Sequence, residues 1–193
     1  MFALRPQSAR LAGATLVDMV LAVAVLGIVV LVAIPRSDPV GSFATEAVAA
    51  EIANALRFGQ QEAIRTGRYH RVQIDTASQT LSVSRLTETG PIGRDNGFTV
   101  LHPLERREYL IRLANNNFSS PTVVGSVFQY SGSPSTDYAS FGPDGVPMGV
   151  SGVWNSGVPT NRTPLEGDGV VTIRHGQVER RILLNPVTGR VTY

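Results

Sequence analysis

The sequence contains no cysteine, which removes disulfides, thiolate zinc sites and cysteine nucleophiles from consideration while leaving the compartment open. Other chemical signatures are missing too. The three histidines, His70, His102 and His175, stand far apart and lack HxxxH or HExxH spacing, so each reads as a strand or loop surface residue. Neither a metal site nor a cofactor is expected. Ser151 lies in Gly149-Val150-Ser151-Gly152, which is not the GxSxG elbow of a hydrolase. There is no Walker-type phosphate loop, and Gly167-Asp168-Gly169 lacks the rest of a dinucleotide fingerprint. Triads assemble from distant residues, so missing motifs leave an enzyme unsupported without excluding one. Net charge is also nearly absent. Of 17 basic residues, Arg5 and Arg10 precede a long apolar run, and without them 15 basic residues face 15 acidic ones. That balance gives no global electrostatic case for nucleic acid.

What is present begins with that run. From Ala14 to Ile34 there are 21 residues with one charge, Asp18, about 31 Å of helix at the usual rise. The length matches the roughly 30 Å hydrocarbon core of a bilayer. Asp18 falls in the first turn, near the interface, where a helix N-terminus favours negative charge. A cut after Gly13 would give it a cationic partner, the new amine of Ala14 on this subunit or on a packed neighbour. Pro35 closes the run, and the missing N–H there, with Pro39 and Gly41 following, predicts a kink or loosening. A secretory signal peptide has a shorter apolar core. A plain single-span anchor fits the length but leaves the spacing of Gly13, Asp18 and Pro35 as coincidence. Arg5 and Arg10 ahead of the span predict a cytoplasmic N-terminus and a globular part across the membrane.

Gly13-Ala14-Thr15-Leu16-Val17-Asp18 resembles the G-F-T-L-x-E signature of type IV pilin and type II secretion pseudopilin precursors, and Pro35 is the twenty-second residue after the cut, where that family has a proline. Ala14 replaces the usual phenylalanine and Asp18 the usual glutamate. The resemblance implies that a prepilin peptidase cleaves between Gly13 and Ala14, that Ala14 is N-methylated, and that Asp18 and Pro35 belong to the assembly helix. It also implies partners: other pilins or pseudopilins, an inner-membrane assembly platform, and membrane lipid before assembly.

Helical periodicity resumes from about Ser42 to Thr66, with Val48, Ile52, Ala55, Leu56, Gly59 and Ala63 in one stripe and Glu46, Arg57, Gln60, Gln61 and Arg65 facing away. Gly67 is the expected stop. The period then becomes 2. Arg71–Asp75 and Thr80–Ser84 read as a hairpin with Val72, Ile74, Leu81 and Val83 inward. Thr87–Gly97 reads as a loop open to exposure and variation. Further strands are expected at Phe98–Leu101, Glu108–Leu113, Thr122–Tyr130, Tyr138–Phe141, Val170–Arg174, Val178–Leu184 and Arg190–Tyr193. The fold class is α+β: a pilin-like long N-terminal helix followed by a strand-rich globular domain. Its divisions are a leader at 1–13, a transmembrane and assembly helix at 14–35, an amphipathic continuation at 36–66 and a periplasmic β-rich domain at 67–193.

Two short C-terminal motifs narrow the resemblance. Ser140-Phe141-Gly142-Pro143-Asp144-Gly145, and the ending Arg181–Val191 with Thr188-Gly189-Arg190, are similar to the F-x-P-D-G turn and the strand, T-G-R turn and strand of the GspH/FimT group of minor pseudopilins. Some members serve DNA uptake through a basic tail, and Arg174, Arg180, Arg181 and Arg190 are the candidate phosphate contacts here. Thr192 stands where a second arginine of that tail is wanted, and Tyr193 is the only aromatic after Trp154. A solvated strand face is the preferred reading of these arginines, and nucleic acid the disfavoured partner. The expectation is a non-catalytic minor pseudopilin of a secretion pseudopilus or type IV pilus. The alternatives are a DNA-binding minor pilin and a membrane-anchored periplasmic enzyme.

Overall fold

The computed structural model describes residues 16–33, 39–113 and 120–193. Gly13, Ala14 and Pro35 lie outside them. The chain divides into two units, Met1–Asp38 and Pro39–Tyr193. In the first, α1 (Leu16–Ala33) is apolar on all sides except for Asp18 in its first turn. Among the described residues no helix is long and apolar enough to cross a membrane. The apolar run of the sequence begins before the described stretch of α1 and ends after it.

The second unit is built around α2 (Pro39–Thr66). Proline suits a first helical position, where its missing N–H would bond nothing. The helix ends at Gly67, whose φ of 66° allows the Arg68 N–H to reach back to the Ala63 carbonyl at 3.3 Å, a Schellman closure. Its inner face is made of Ala49, Ile52, Ala53, Ala55, Leu56 and Ala63, all fully buried. Small side chains there let strands approach closely.

Two four-stranded antiparallel sheets share that helix. The first contains β1 (His70–Asp75), β2 (Thr80–Arg85), β3 (Leu110–Arg112) and β5 (Tyr138–Phe141), in the order β3-β2-β1-β5. The second contains β4 (Thr122–Val127), β8 (Gly169–His175), β9 (Val178–Leu184) and β10 (Val191–Thr192), in the order β10-β9-β8-β4. In the first, Val72 opposes Val83 and Ile74 opposes Leu81, and all four are buried. Val171, Ile173, Ile182 and Leu184 supply the second sheet's inner face. Gln79 stitches the sheets together: its side-chain amide accepts the Val123 N–H at 2.8 Å and donates to the Val123 carbonyl at 2.9 Å, as a backbone neighbour would. The buried Tyr130 hydroxyl, beyond the end of β4, holds β5 by accepting from the Ser140 N–H and donating to the Tyr138 carbonyl.

The α+β plan, the helix and the β1–β2 hairpin match expectation, and the differences have local causes. Phe98–Leu101 is not a strand; Leu101 makes a single bridge to Glu108, while Phe98 lies under the Arg85 guanidinium at 3.9 Å. The strand expected at Glu108–Leu113 shortens to Leu110–Arg112, and the one from Thr122 ends at Val127. A hairpin of β6 (Met148–Asn155) and β7 (Val158–Pro164) occupies a stretch where none was expected. The 87–97 loop is pinned, with Asp95 on Arg85 and the Ile92 N–H on the Gly152 carbonyl.

His70, expected at the surface, is fully buried. Its Nδ1 faces the Arg68 carbonyl at 3.1 Å, and Nε2 has no hydrogen-bond partner. Burial holds its pKa below the ordinary 6.5; the Arg68 carbonyl and Glu62 oppose this, and Arg85 and Arg65 reinforce it. The unfolded chain therefore binds the proton more readily, so the stability that neutral His70 permits is present above about pH 6.5 and lost as pH falls below it. The urea midpoint of the full chain is expected to drop between pH 7 and pH 5, and His70→Leu to flatten that drop; an unchanged slope in the variant would refute this role.

Candidate assembly helix and the anchored C-terminal turns

Two features bear on function, and they lie in different units. On α1 the large apolar side chains from Leu16 to Ile28 are 53 to 80% exposed. A helix apolar all round needs an apolar surrounding, either lipid or other helices. Asp18, in the first turn, is the one acid on it.

The arginines proposed as phosphate contacts do not form one surface. Along β9, Ile182 and Leu184 point into the core, and Arg180 shares their parity, its Nε 3.5 Å from Glu46 on α2. Arg181 points the other way. There Glu179 takes both Arg181 Nε at 3.2 Å and Arg174 Nη2 at 3.1 Å, hydrogen bonds that hold its carboxyl below the usual range. Arg190 lines a separate hollow with Asp168 and Asn185. Sequence proximity thus becomes two faces and three carboxylate neighbours, which lowers the local positive potential that phosphate binding needs.

The C-terminal motifs do meet. Gln60 was expected on the outer face of its helix, yet its Nε2 donates to the Gly145 carbonyl at 2.8 Å and to the Thr188 carbonyl at 2.9 Å. One amide therefore holds the Pro-Asp-Gly turn and the Thr-Gly-Arg turn against α2. Both glycines are required there. Gly145 (φ 75°) has no room for a Cβ, which would lie 2.6 Å from Ile64 Cδ1, and a Cβ on Gly189 (φ 66°) would lie 2.3 Å from Gln60 Nε2. Arg57, also expected outward, reaches the Val191 carbonyl at 3.1 Å and lies over the Tyr193 ring. The signal in the sequence was the glycine of each turn; its partner on the helix carried none.

Among the described residues no group of three or more His, Asp or Glu side chains is placed to hold a metal. A groove of about 630 Å³ runs beside α2, lined by Val48, Phe58, Leu104, Tyr109 and Leu113 among others. Burial, with Glu51 nearby, pushes the Tyr109 hydroxyl up to about 12.

No family model matches the chain, and no curated protein sequence matches it. Solved structures that are similar include the minor pseudopilin EpsH from the type 2 secretion system of Vibrio cholerae, at 13% identity and a TM-score of 0.47, covering 77% of this chain and 94% of that one. The type IV minor pilin FimU of Pseudomonas aeruginosa is similar at 14% identity and a TM-score of 0.42, covering 77% and 86%.

Gln60→Ala is expected to lower stability by about 1–3 kcal/mol, leaving two carbonyls without their donor. Gly189→Ala should cost a similar amount, through strain at positive φ and the clash with Gln60. Because each disturbs the same contact, the double variant should lose clearly less than the sum. Additive losses in chemical denaturation would mean that Gln60 and Gly189 act separately.

Proposed function

We propose that this chain is a minor pseudopilin of the GspH/FimT type, a non-catalytic subunit of a type II secretion pseudopilus or a type IV pilus. The observation that carries the proposal is α1 itself: a helix apolar on all sides, exposed within its own chain, with one acid in the first turn and a peptidase-type Gly13-Ala14 junction five residues before that acid. A globular unit with its own core, seated on α2, is the cargo such a helix would carry.

Before assembly α1 sits in the inner membrane as a single pass, with the N-terminus cytoplasmic and the globular domain periplasmic. Prepilin peptidase cuts after Gly13 and the new amine on Ala14 is methylated. The assembly platform then moves the subunit from lipid into the fibre, where α1 packs against helices of other pilins or pseudopilins. The transfer is feasible because lipid tails and neighbouring helices satisfy the same apolar surface, leaving packing and polar pairs to decide association. Asp18 supplies such a pair by meeting the N-terminal amine of a neighbour, which fixes subunit register. The DNA-uptake alternative loses ground because its arginines are divided between two faces and shared with Glu46 and Glu179.

Processing and register separate cleanly in a cell that assembles the fibre. Gly13→Trp is expected to leave the leader attached, read as an unprocessed band on an immunoblot. Asp18→Ala should be cut normally but recovered in sheared fibres at about one tenth of the wild-type amount or less, the equivalent of roughly 1.4 kcal/mol in subunit addition. Normal incorporation of the Asp18 variant would sink the register role.

A further inference from the structure

Ahead of β3 the chain turns back on itself. Leu101 bridges Glu108, and Pro103, Leu104, Glu105, Arg106 and Arg107 form the tip beyond that bridge, all of them exposed. The tip is fixed by its own hydrogen bonds. The His102 N–H bonds the Arg107 carbonyl at 2.8 Å, the Arg106 N–H bonds the His102 carbonyl at 3.0 Å, and His102 Nδ1 accepts from the Leu104 and Glu105 N–H groups, each at 3.3 Å. The His102 ring packs on Tyr109, which stacks on Phe58 of α2 with centroids 4.9 Å apart. So held, the tip presents Leu104 with 87% of its surface in solvent, the highest value for a large apolar residue among the described residues. Leu101 and Leu110 beside it are 49% and 54% exposed. Three exposed leucines on one short segment are more than the scattered single residues that need no explanation. Arg106 takes φ 55°, a conformation that glycine or asparagine adopts at lower cost. A backbone that bears this strain to keep an arginine points to a use for the side chain.

Charge selects the partner. Arg106 and Arg107 on the tip, and Arg112 in the groove that Leu104 also lines, make no ion pair with any described residue. Glu108 on the stem is already taken by Arg94. Three unpaired cations therefore face two acids, Glu105 on the tip and Glu51 across the groove, and the surface stays net positive where its leucines are most exposed. Nucleic acid would satisfy the arginines and leave the leucines in water. An acidic protein would need an apolar pocket shaped for Leu104. A bilayer interface serves both kinds of side chain without a matching shape: leucine enters the acyl boundary while guanidinium groups stay with the phosphates. We propose that this tip, through Leu104, Arg106 and Arg107 with Arg112 behind them, docks on a bilayer surface containing anionic phospholipid. The proposal rests on the reading of α1 as a membrane anchor, which keeps the globular unit within reach of lipid so that a weak contact suffices. Docking belongs to the state before assembly, and entry into a fibre breaks it.

With no cysteine in the chain, Pro103→Cys places a single environment-sensitive NBD dye at the tip. The full chain is reconstituted into vesicles of phosphatidylcholine with phosphatidylglycerol, or of phosphatidylcholine alone, and flotation shows whether it is anchored. Dye emission is expected to shift to the blue and intensify only with phosphatidylglycerol, and to revert at high salt. An arginine near an anionic surface is worth about a fivefold factor. Arg106→Glu with Arg107→Glu should therefore lower the docked-to-free ratio about twentyfold or more, while the two lysine replacements, which keep the charge, should retain docking. Leu104→Ser should weaken it as well. A chain that floats while its dye emits as in water, or equally in both vesicles, or unchanged by the charge reversal, overturns the proposal and leaves the anchor reading standing. A chain that does not float contradicts both. A dye that responds to duplex DNA or polyglutamate and not to phosphatidylglycerol assigns the surface to those partners and overturns the lipid reading.

Discussion

Gly59 has no room for a methyl group. A Cβ there would lie 2.6 Å from Val72 Cγ2, so α2 and β1 touch at a distance that only glycine allows. The rest of the globular unit follows from that approach. Alanines at 49, 53, 55 and 63 extend the shallow face along the helix, with Ile52 and Leu56 as its two large contacts. Two sheets can then share one helix and a single core. Dispersion and burial supply most of the driving force in such a seam, while polar groups at its borders fix orientation. Gln79 sets one sheet against the other, and Gln60 sets two C-terminal turns against the helix. Each does so with one side-chain amide that takes the place of a backbone strand or cap.

Much of this was legible where periodicity is strong. The 3.6-residue stripe of α2 and the strict alternation of β1 and β2 each point to one face, and those faces are buried. The β6–β7 hairpin was not legible because Met148–Asn155 and Val158–Pro164 hold glycine, proline, threonine and asparagine where a buried strand would hold branched residues, and most of their side chains are exposed. Its one local signal is Ser156-Gly157, a two-residue turn with both φ values positive, at 50° and 82°. Phe98–Leu101 misled in the other direction: Phe98 packs on Arg85 and Val100 enters the core, but pairing with the next segment does not extend beyond the single Leu101–Glu108 bridge. The helical pattern turns Gln60 and Arg57 away from the stripe, and only the tertiary position of the C-terminal turns and last strand shows that they make contacts.

The functional residues divide along the same line. The Gly13-Ala14 junction and the acid at Asp18 are readable as sequence because the roles proposed for them depend on spacing along the chain. Arg174, Arg180, Arg181 and Arg190 look like a cluster for the same reason, and lose that character because successive residues of a strand face opposite ways. On the proposed reading the exposed apolar helix supplies association, while the globular unit holds together through a core of its own.

The intact mass and N-terminal sequence of the protein purified from its native membrane test the central claim most directly. A processed pilin-like subunit begins at Ala14 and carries one added methyl group. A chain that retains Met1 contradicts the assignment because it lacks the Ala14 amine proposed as the partner of Asp18, and one cut beyond Ile34 contradicts it because it lacks α1 altogether.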